Sequence, residues 1–183
     1  FGVARRGDEV VLGFRREGTH ALVDLTECPV LDPLIVEALP VLRELARLAL
    51  PSGAGGRLIV TRAEEGLDVA IEEGKAQLAP ETSAILARRA AEAGLQRLVV
   101  FGQLAYLNRP PSVRLGGVRV ELPRAAFLQA VPEAEAIMTE IVLREVGKAR
   151  HVADLFAGLG TFTFPMARQA RVLAVDADRR AIE

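Results

Sequence analysis

The strongest constraint on the fold of this sequence is a glycine turn near its end. Residues 154–167 read DLFAGLGTFTFPMA, in which a short apolar strand that carries an acid is followed by two glycines. The pattern predicts a strand over Val152–Phe156, a helix over Phe162–Ala170 and a second strand over Arg171–Val175. A strand, a glycine turn, a helix and another strand in this order are typical of the first βαβ unit of a nucleotide-binding sheet.

The residues of the turn also indicate which ligand it suits. Gly158 and Gly160 let the backbone approach a ligand without an intervening Cβ. Dinucleotide sites carry a third glycine three residues after the second, but Thr163 occupies that position. S-adenosylmethionine is the alternative, because its methyltransferases commonly show an acid, three residues and then Gly-x-Gly, and Asp154 matches that acid. Asp154 would then lie near the cofactor's amino-acid end, and Asp176 would hold the ribose. A tight turn without a ligand is the remaining interpretation.

The chain before this unit predicts a mixed α+β region. Asp32-Pro33 begins a helix that Pro40 is expected to kink or split. We predict an α/β protein with a central α+β domain over residues 1–125 and the first part of a Rossmann-like domain over residues 126–183. Two strands do not complete such a sheet, so the domain is expected to be incomplete in this chain. The other predicted strands are Val10–Phe14, Ala21–Leu25, Arg57–Thr61, Leu67–Ile71, Leu98–Phe101, Val113–Leu115 and Val118–Leu122.

Composition limits the remaining function classes. The net charge of −1 argues against a uniformly basic nucleic-acid binder. Residues 84–130 nonetheless hold seven arginines, no lysine and two acids, an excess that suits phosphate unless carboxylates from elsewhere in the fold compensate it. No apolar run is long enough for a membrane span. With one cysteine and no signal peptide, the expected compartment is the cytoplasm.

Three separated stretches of the chain indicate which protein family the sequence resembles. They are GFRR at 13–16 followed by VDLTECPVL at 23–31, PRAAFLQAVP at 123–132, and DLFAGLGTF at 154–162. Together they resemble the RNA 5-methyluridine methyltransferases, which act on ribosomal or transfer RNA. Their order and spacing agree with that family, and the resemblance covers essentially the full chain. It implies a class I enzyme that uses S-adenosylmethionine, has RNA as its partner and includes this chain as its central domain and the start of its cofactor domain.

The resemblance implies roles for individual residues. Gln129 matches a glutamine that the family places against the cofactor, and Phe156 matches an aromatic residue that borders it. Thr161 stands where these enzymes often carry Asn. Asp176 stands where many members have Glu, a difference that preserves ribose binding. The implied cofactor-binding set is Gln129, Asp154, Phe156, Gly158, Gly160, Thr161 and Asp176.

Cys28 lies in the Cys-Pro-x-Leu setting of the same resemblance. Many members of the family hold a [4Fe–4S] cluster through three closely spaced N-terminal cysteines and a later one, and Cys28 matches the later ligand. A lone cysteine is otherwise more typical of a small buried hydrophobic residue. Because a cluster needs four thiolates, this chain is not expected to assemble one by itself.

The resemblance also implies the reaction. In the family, a cysteine thiolate adds to C6 of uridine, C5 takes the methyl group, and a carboxylate removes the C5 proton so that the thiolate can leave. The nucleophile and the base come from the later half of the cofactor domain, so no catalytic residue is expected in this chain, and the chain alone is expected to be inactive. Two alternatives stay open: a class I methyltransferase for another substrate, and a non-catalytic RNA-binding relic.

Overall fold

The computed structural model of the protein describes residues 1–19, 21–72 and 78–179. The chain divides into two compact units, Phe1–Pro111 and Ser112–Glu183. A seven-stranded sheet lies in the first unit, and a hairpin and a two-stranded sheet lie in the second. Within the described residues, no helix is both long enough and apolar enough to cross a membrane.

The first unit is built on one mixed sheet. Its elements are β1 (Gly2–Arg6), β2 (Glu9–Arg15), β3 (Leu22–Asp24), α1 (Pro33–Glu37), α2 (Leu39–Ala49), β4 (Gly55–Ala63), β5 (Gly66–Glu72), α3 (Pro80–Glu92), β6 (Arg97–Val100) and β7 (Gln103–Leu107). The strand order is β3-β2-β1-β4-β5-β6-β7. Neighbouring strands are antiparallel except β5 and β6, which run parallel because α3 lies between them in the chain.

One face of this sheet carries the hydrophobic core. Alternate strand residues such as Val69 and Ile71 point to that face and are fully buried. From the helices, Leu42 and Leu45 of α2 and Leu86 of α3 pack into the same core. Because α2 and α3 contact each other and share this core, they cover the same face of the sheet. The predicted α+β organisation of this region is confirmed.

Two strands of the first unit were absent from the predicted set. β1 reads GVARR and offers little alternation of apolar and polar residues. β7 follows β6 through a two-residue turn in which Phe101 has a φ of 52° and Gly102 a φ of 77°. Such turns usually carry Asn-Gly or Gly-Gly. Because an aromatic residue occupies the first position here, the sequence pattern does not predict this hairpin. The predicted interruption at Pro40 is confirmed, because α1 ends at Glu37 and α2 begins at Leu39.

The second unit contains the predicted βαβ unit. Its elements are β8 (Ser112–Leu115), β9 (Val118–Glu121), α4 (Pro132–Val146), β10 (His151–Leu155), α5 (Thr163–Ala167) and β11 (Arg171–Val175). β10 and β11 pair in parallel, and α5 packs against β11. The predicted order of strand, turn, helix and strand is confirmed, although α5 is shorter than the predicted helix.

The units divide earlier in the chain than the predicted boundary after residue 125, because the β8–β9 hairpin packs within the second unit. Its turn, Gly116-Gly117, has positive φ at both residues, as a two-residue hairpin turn requires. The guanidinium of Arg168, just after α5, donates a hydrogen bond to the carbonyl oxygen of Gly116. A Cβ at Gly116 would lie 2.7 Å from the backbone nitrogen of Pro165. The β8–β9 hairpin therefore packs directly against α5.

This contact gives a stability prediction with a matched control. Gly116→Ala adds both a left-handed backbone strain, at a φ of +54°, and a clash with Pro165. Gly7→Ala adds similar strain, at a φ of +62°, with no atom within 4 Å of the new Cβ. We expect Gly7→Ala to lower the free energy of unfolding by about 1 kcal/mol and Gly116→Ala by about 1 to 3 kcal/mol more. Urea unfolding of the two variants checks this, and equal losses would contradict the packing of the hairpin on α5.

The apolar residues of α4 do not form a core in this unit. None of the residues of α4 is buried, and Ile137 is 58% exposed. On the two-stranded sheet, Leu155 and Leu173 are also exposed. A sheet of two strands presents too little surface to bury a helix of four turns. The apolar side chains of α4 therefore stay partly or fully exposed.

Candidate functional site

The glycine turn connects the carboxyl end of β10 to the start of α5. Phe156, Gly158 and Gly160 all have left-handed backbones, with φ values of 66°, 53° and 93°. Three such residues within five positions reverse the chain sharply above the strand ends. In open α/β sheets, this edge, at the carboxyl ends of the strands, is where ligands bind. The turn is therefore the candidate site of the second unit.

Phe156 combines backbone strain with exposure. A non-glycine residue with a φ of 66° is uncommon, and its ring is among the most exposed apolar side chains, at 88%. Its backbone N–H donates to the carbonyl oxygen of Val175 at 2.8 Å, and that of Ala157 donates to the same oxygen at 3.1 Å. The end of β11 thus holds the backbone in place and leaves the aromatic ring outside. Strained residues of this kind concentrate at binding sites.

Asp176 is bound to the turn itself. Its Oδ2 accepts a hydrogen bond from the backbone N–H of Gly158 at 2.8 Å, and its Oδ1 accepts one from the N–H of Asp178 at 2.8 Å. These backbone donors, with that of Asp178 first, hold the pKa of the Asp176 carboxyl below its ordinary value of 3.8. A lowered acid pKa means that the stabilising contribution is present above the ordinary value and is lost as the pH falls through the lowered one. At neutral pH the carboxylate therefore stays ionised and bonded to the turn.

Asp154 forms a hydrogen bond at the other end of the glycine turn, where α5 begins. It lies on β10 and is half-buried, and its Oδ2 accepts a hydrogen bond from the hydroxyl of Thr163, the first residue of α5. The two acids that the sequence singled out, Asp154 and Asp176, therefore each contact one side of the turn. The hydrogen-bonding role of Thr163 was missed from the sequence, where this residue served only to exclude a third glycine.

The two glycines serve different purposes. A Cβ at Gly160 would lie 2.6 Å from the ring of Phe164, so this glycine allows close packing of the turn against α5. A Cβ at Gly158 would meet nothing within 4 Å. The positive φ at position 158 favours glycine, and the absence of a side chain leaves open space beside the backbone. A ligand can approach the backbone through this space.

Two further predicted residues lie outside this hydrogen-bonded group. Thr161 is half-buried in the turn, and Gln129 is half-buried in the segment between β9 and α4. Neither side chain forms a hydrogen bond with another described residue. The structure therefore joins Gly158 to Asp176 and Thr163 to Asp154 through hydrogen bonds, and the cofactor-binding roles of the predicted residues remain predictions.

Cys28 belongs to the first unit. It follows β3, is partly buried and packs against the core beneath the sheet. Among the described residues, no group of three or more His, Cys, Asp and Glu side chains is arranged to hold a metal ion. Because the sequence has one cysteine and a [4Fe–4S] cluster takes four thiolates, the residues of this chain do not by themselves form a cluster site.

Most of the arginine excess in residues 84–130 is compensated by carboxylates. Four of these arginines form ion pairs, three of them with acids from other elements of the first unit. Arg97 is also buried, so it does not contribute to a surface that faces RNA. The interpretation that countercharges come from elsewhere in the fold is confirmed for three of these pairs, whereas Glu92 lies in the same helix as its partner Arg88. The four pairs are Arg88–Glu92, Arg89–Glu44, Arg97–Asp68 and Arg109–Glu65.

Known proteins are similar to most or all of this chain, among them the following three. An uncharacterised RNA methyltransferase of Rhizobium meliloti (strain 1021) is 38% identical over 183 residues, which is 100% of this chain and 44% of that protein. The 23S rRNA (uracil(1939)-C(5))-methyltransferase RlmD of Vibrio cholerae is 29% identical over 182 residues, or 92% of this chain and 39% of that protein. The tRNA (uracil-54, C5)-methyltransferase of Pyrococcus abyssi, solved with S-adenosyl-L-homocysteine, matches with a TM-score of 0.67 and 19% identity. No protein-family model matches the sequence.

These similarities agree with the motifs and the fold. The structural match covers 100% of this chain and 49% of the Pyrococcus protein, and at 19% identity it shows a shared fold. The chain spans less than half of the length of the curated relatives that it matches. The chain is thus similar, over most or all of its length, to RNA methyltransferases, one of which is a uracil-C5 enzyme of ribosomal RNA.

Proposed function

We propose that the protein containing this chain transfers a methyl group from S-adenosylmethionine to C5 of a uridine in ribosomal or transfer RNA. The observation that carries the proposal is the glycine turn, with Asp154 and Asp176 bound to its two sides. The names of the relatives support the class of substrate, because two of them act on uracil C5 in RNA. The bound S-adenosyl-L-homocysteine of the Pyrococcus protein supports the class of cofactor.

Within this proposal, each residue of the turn has a defined contact. Asp176 accepts hydrogen bonds from the ribose hydroxyls, since each carboxylate oxygen can accept more than one. Asp154 lies near the cofactor's amino-acid end, and the exposed ring of Phe156 borders the cofactor. Gly158 provides the open space beside the backbone. Gln129 and Thr161 complete the set from the segment before α4 and from the turn.

The chemistry of methyl transfer needs groups that this chain does not supply. S-adenosylmethionine provides the methyl group, and the family uses a thiolate nucleophile and a carboxylate base. Cys28, the one cysteine, packs against the core of the first unit and lies in a different motif from the family's nucleophile. We therefore assign residues 126–183 to cofactor binding and assign no catalytic residue within this chain. The first unit is proposed to help hold the RNA.

Cys28 has a separate proposed role. Its Cys-Pro-x-Leu setting supports one thiolate ligand of a [4Fe–4S] cluster in the complete protein, and the other three ligands would lie outside residues 1–183. No step of the proposed reaction runs through this cluster. The cytoplasm is the proposed compartment.

Release of tritium tests the proposed reaction. The complete protein is incubated with S-adenosylmethionine and RNA that carries tritium at C5 of uridine, because C5 methylation replaces that hydrogen. We expect release that depends on the cofactor, and none from residues 1–183 alone. Methyl transfer to RNA without tritium release would indicate another target atom. Methyl transfer to a substrate other than RNA would indicate a different class of methyltransferase. RNA binding without methyl transfer would indicate a non-catalytic relic.

A further inference from the structure

Thr163 has a contact that the proposed function does not yet use. It is the first residue of α5, and its hydroxyl donates to Oδ2 of Asp154, nine positions earlier in the chain, on β10. Both side chains are half-buried. Oδ1 of Asp154 has no hydrogen-bond partner among the described residues. The carboxylate is therefore held through one oxygen, and its other oxygen is available to a ligand.

The chemistry of this pair favours a fixed orientation. Threonine is branched at Cβ, so its hydroxyl has few rotamers. A hydroxyl that donates to an ionised carboxylate makes one of the stronger hydrogen bonds in proteins. The bond also joins the end of β10 to the start of α5, across the glycine turn. A glycine at position 163, as in dinucleotide sites, would leave the carboxylate without this partner.

We infer that Thr163 is a positioning residue for the cofactor. Its hydroxyl holds the Asp154 carboxylate so that Oδ1 can accept a hydrogen bond from the cofactor's amino-acid end, whose ammonium group is the complementary donor. Thr163 acts through Asp154 and makes no contact with the reacting atoms. This inference rests on the proposed function, because it assumes that the turn binds S-adenosylmethionine.

Calorimetric titration of S-adenosyl-L-homocysteine into the complete protein tests the inference. Thr163→Val keeps the shape and removes the hydroxyl, and we expect it to weaken binding about tenfold, the scale of one hydrogen bond to a charged group. Thr163→Ser restores the hydroxyl and is expected to bind within about twofold of the wild type. In a protein that already carries Asp154→Ala, Thr163→Val is expected to have little further effect, because the group that it positions is gone.

The outcomes separate the inference from the proposed function. If the wild-type protein does not bind S-adenosyl-L-homocysteine, the proposed function fails. If the wild type binds and Thr163→Val binds equally well, the positioning role is wrong. The role is also wrong if Thr163→Ser does not restore binding, or if Thr163→Val weakens binding tenfold even in the Asp154→Ala background, since either result would show a general effect on the turn.

Discussion

Asp176→Ala is expected to weaken binding of S-adenosyl-L-homocysteine to the complete protein by about 100-fold, because hydrogen bonds to a charged group are among the strongest that a side chain makes. The substitution removes the proposed ribose acceptor. It also removes the acceptor for the backbone N–H groups of Gly158 and Asp178, which now hold the turn in place. The substitution therefore removes the proposed contact with the ribose and the hydrogen bonds that hold the turn at the same time. Isothermal titration calorimetry measures the change directly.

The control for this prediction is Asp176→Glu. Many members of the family carry Glu at this position, so the longer carboxylate is expected to keep most of the affinity. Thermal unfolding of both variants shows whether the fold is retained. If Asp176→Ala binds S-adenosyl-L-homocysteine as tightly as the wild type, this carboxylate does not contact the ligand, and the site that we propose is wrong.

Asp68→Ala is expected to lower the free energy of unfolding by about 3 to 5 kcal/mol, the usual loss when one partner of a buried ion pair is removed. Asp68 on β5 and Arg97 on β6 are register partners on the sheet face opposite the core. Two hydrogen bonds join them, from Nε to Oδ1 at 2.8 Å and from Nη2 to Oδ2 at 2.6 Å. Without Asp68, the guanidinium stays buried without its carboxylate. Urea unfolding measures the loss.

Glu72→Ala is the matched control in the same strand. Glu72 pairs with Arg57 on β4, and the side chain of Arg57 is 68% exposed. Exposed ion pairs contribute about 0 to 1 kcal/mol, so this variant is expected to unfold almost as the wild type does. Similar losses for both variants would show that burial of the Asp68–Arg97 pair does not matter for stability.

The fold was predictable where the sequence carries strong local signals. Proline at the start of a helix, the apolar runs Val113–Leu115 and Val118–Leu122, and the apolar strands around the glycine turn each correspond to an element of the structure. β7 was not predictable, because Phe101 adopts a left-handed backbone that sequence patterns reserve for glycine or asparagine. The earlier division between the units depends on the contact between the β8–β9 hairpin and α5, which no local pattern contains.

The candidate site was predictable in its residues and not in its contacts. The spacing of Asp154, Gly158 and Gly160 identified the turn, and the end of β11 identified Asp176. That Asp176 bonds to Gly158 follows from the parallel pairing of β10 with β11, which brings the two strand ends together. The bond from Thr163 to Asp154 depends in the same way on how α5 leaves the turn. A threonine at the first helical position, nine residues after the acid, is the sequence signal that we would now examine.

Amide hydrogen exchange of the complete protein, with and without S-adenosyl-L-homocysteine, tests most directly whether the cofactor binds at this turn. We predict slower exchange at residues 156–164 and 175–179 when the ligand is bound, and unchanged exchange in the sheet of residues 1–111. Slower exchange elsewhere, with none at the turn between β10 and α5, would contradict the assignment of the cofactor site to this part of the chain.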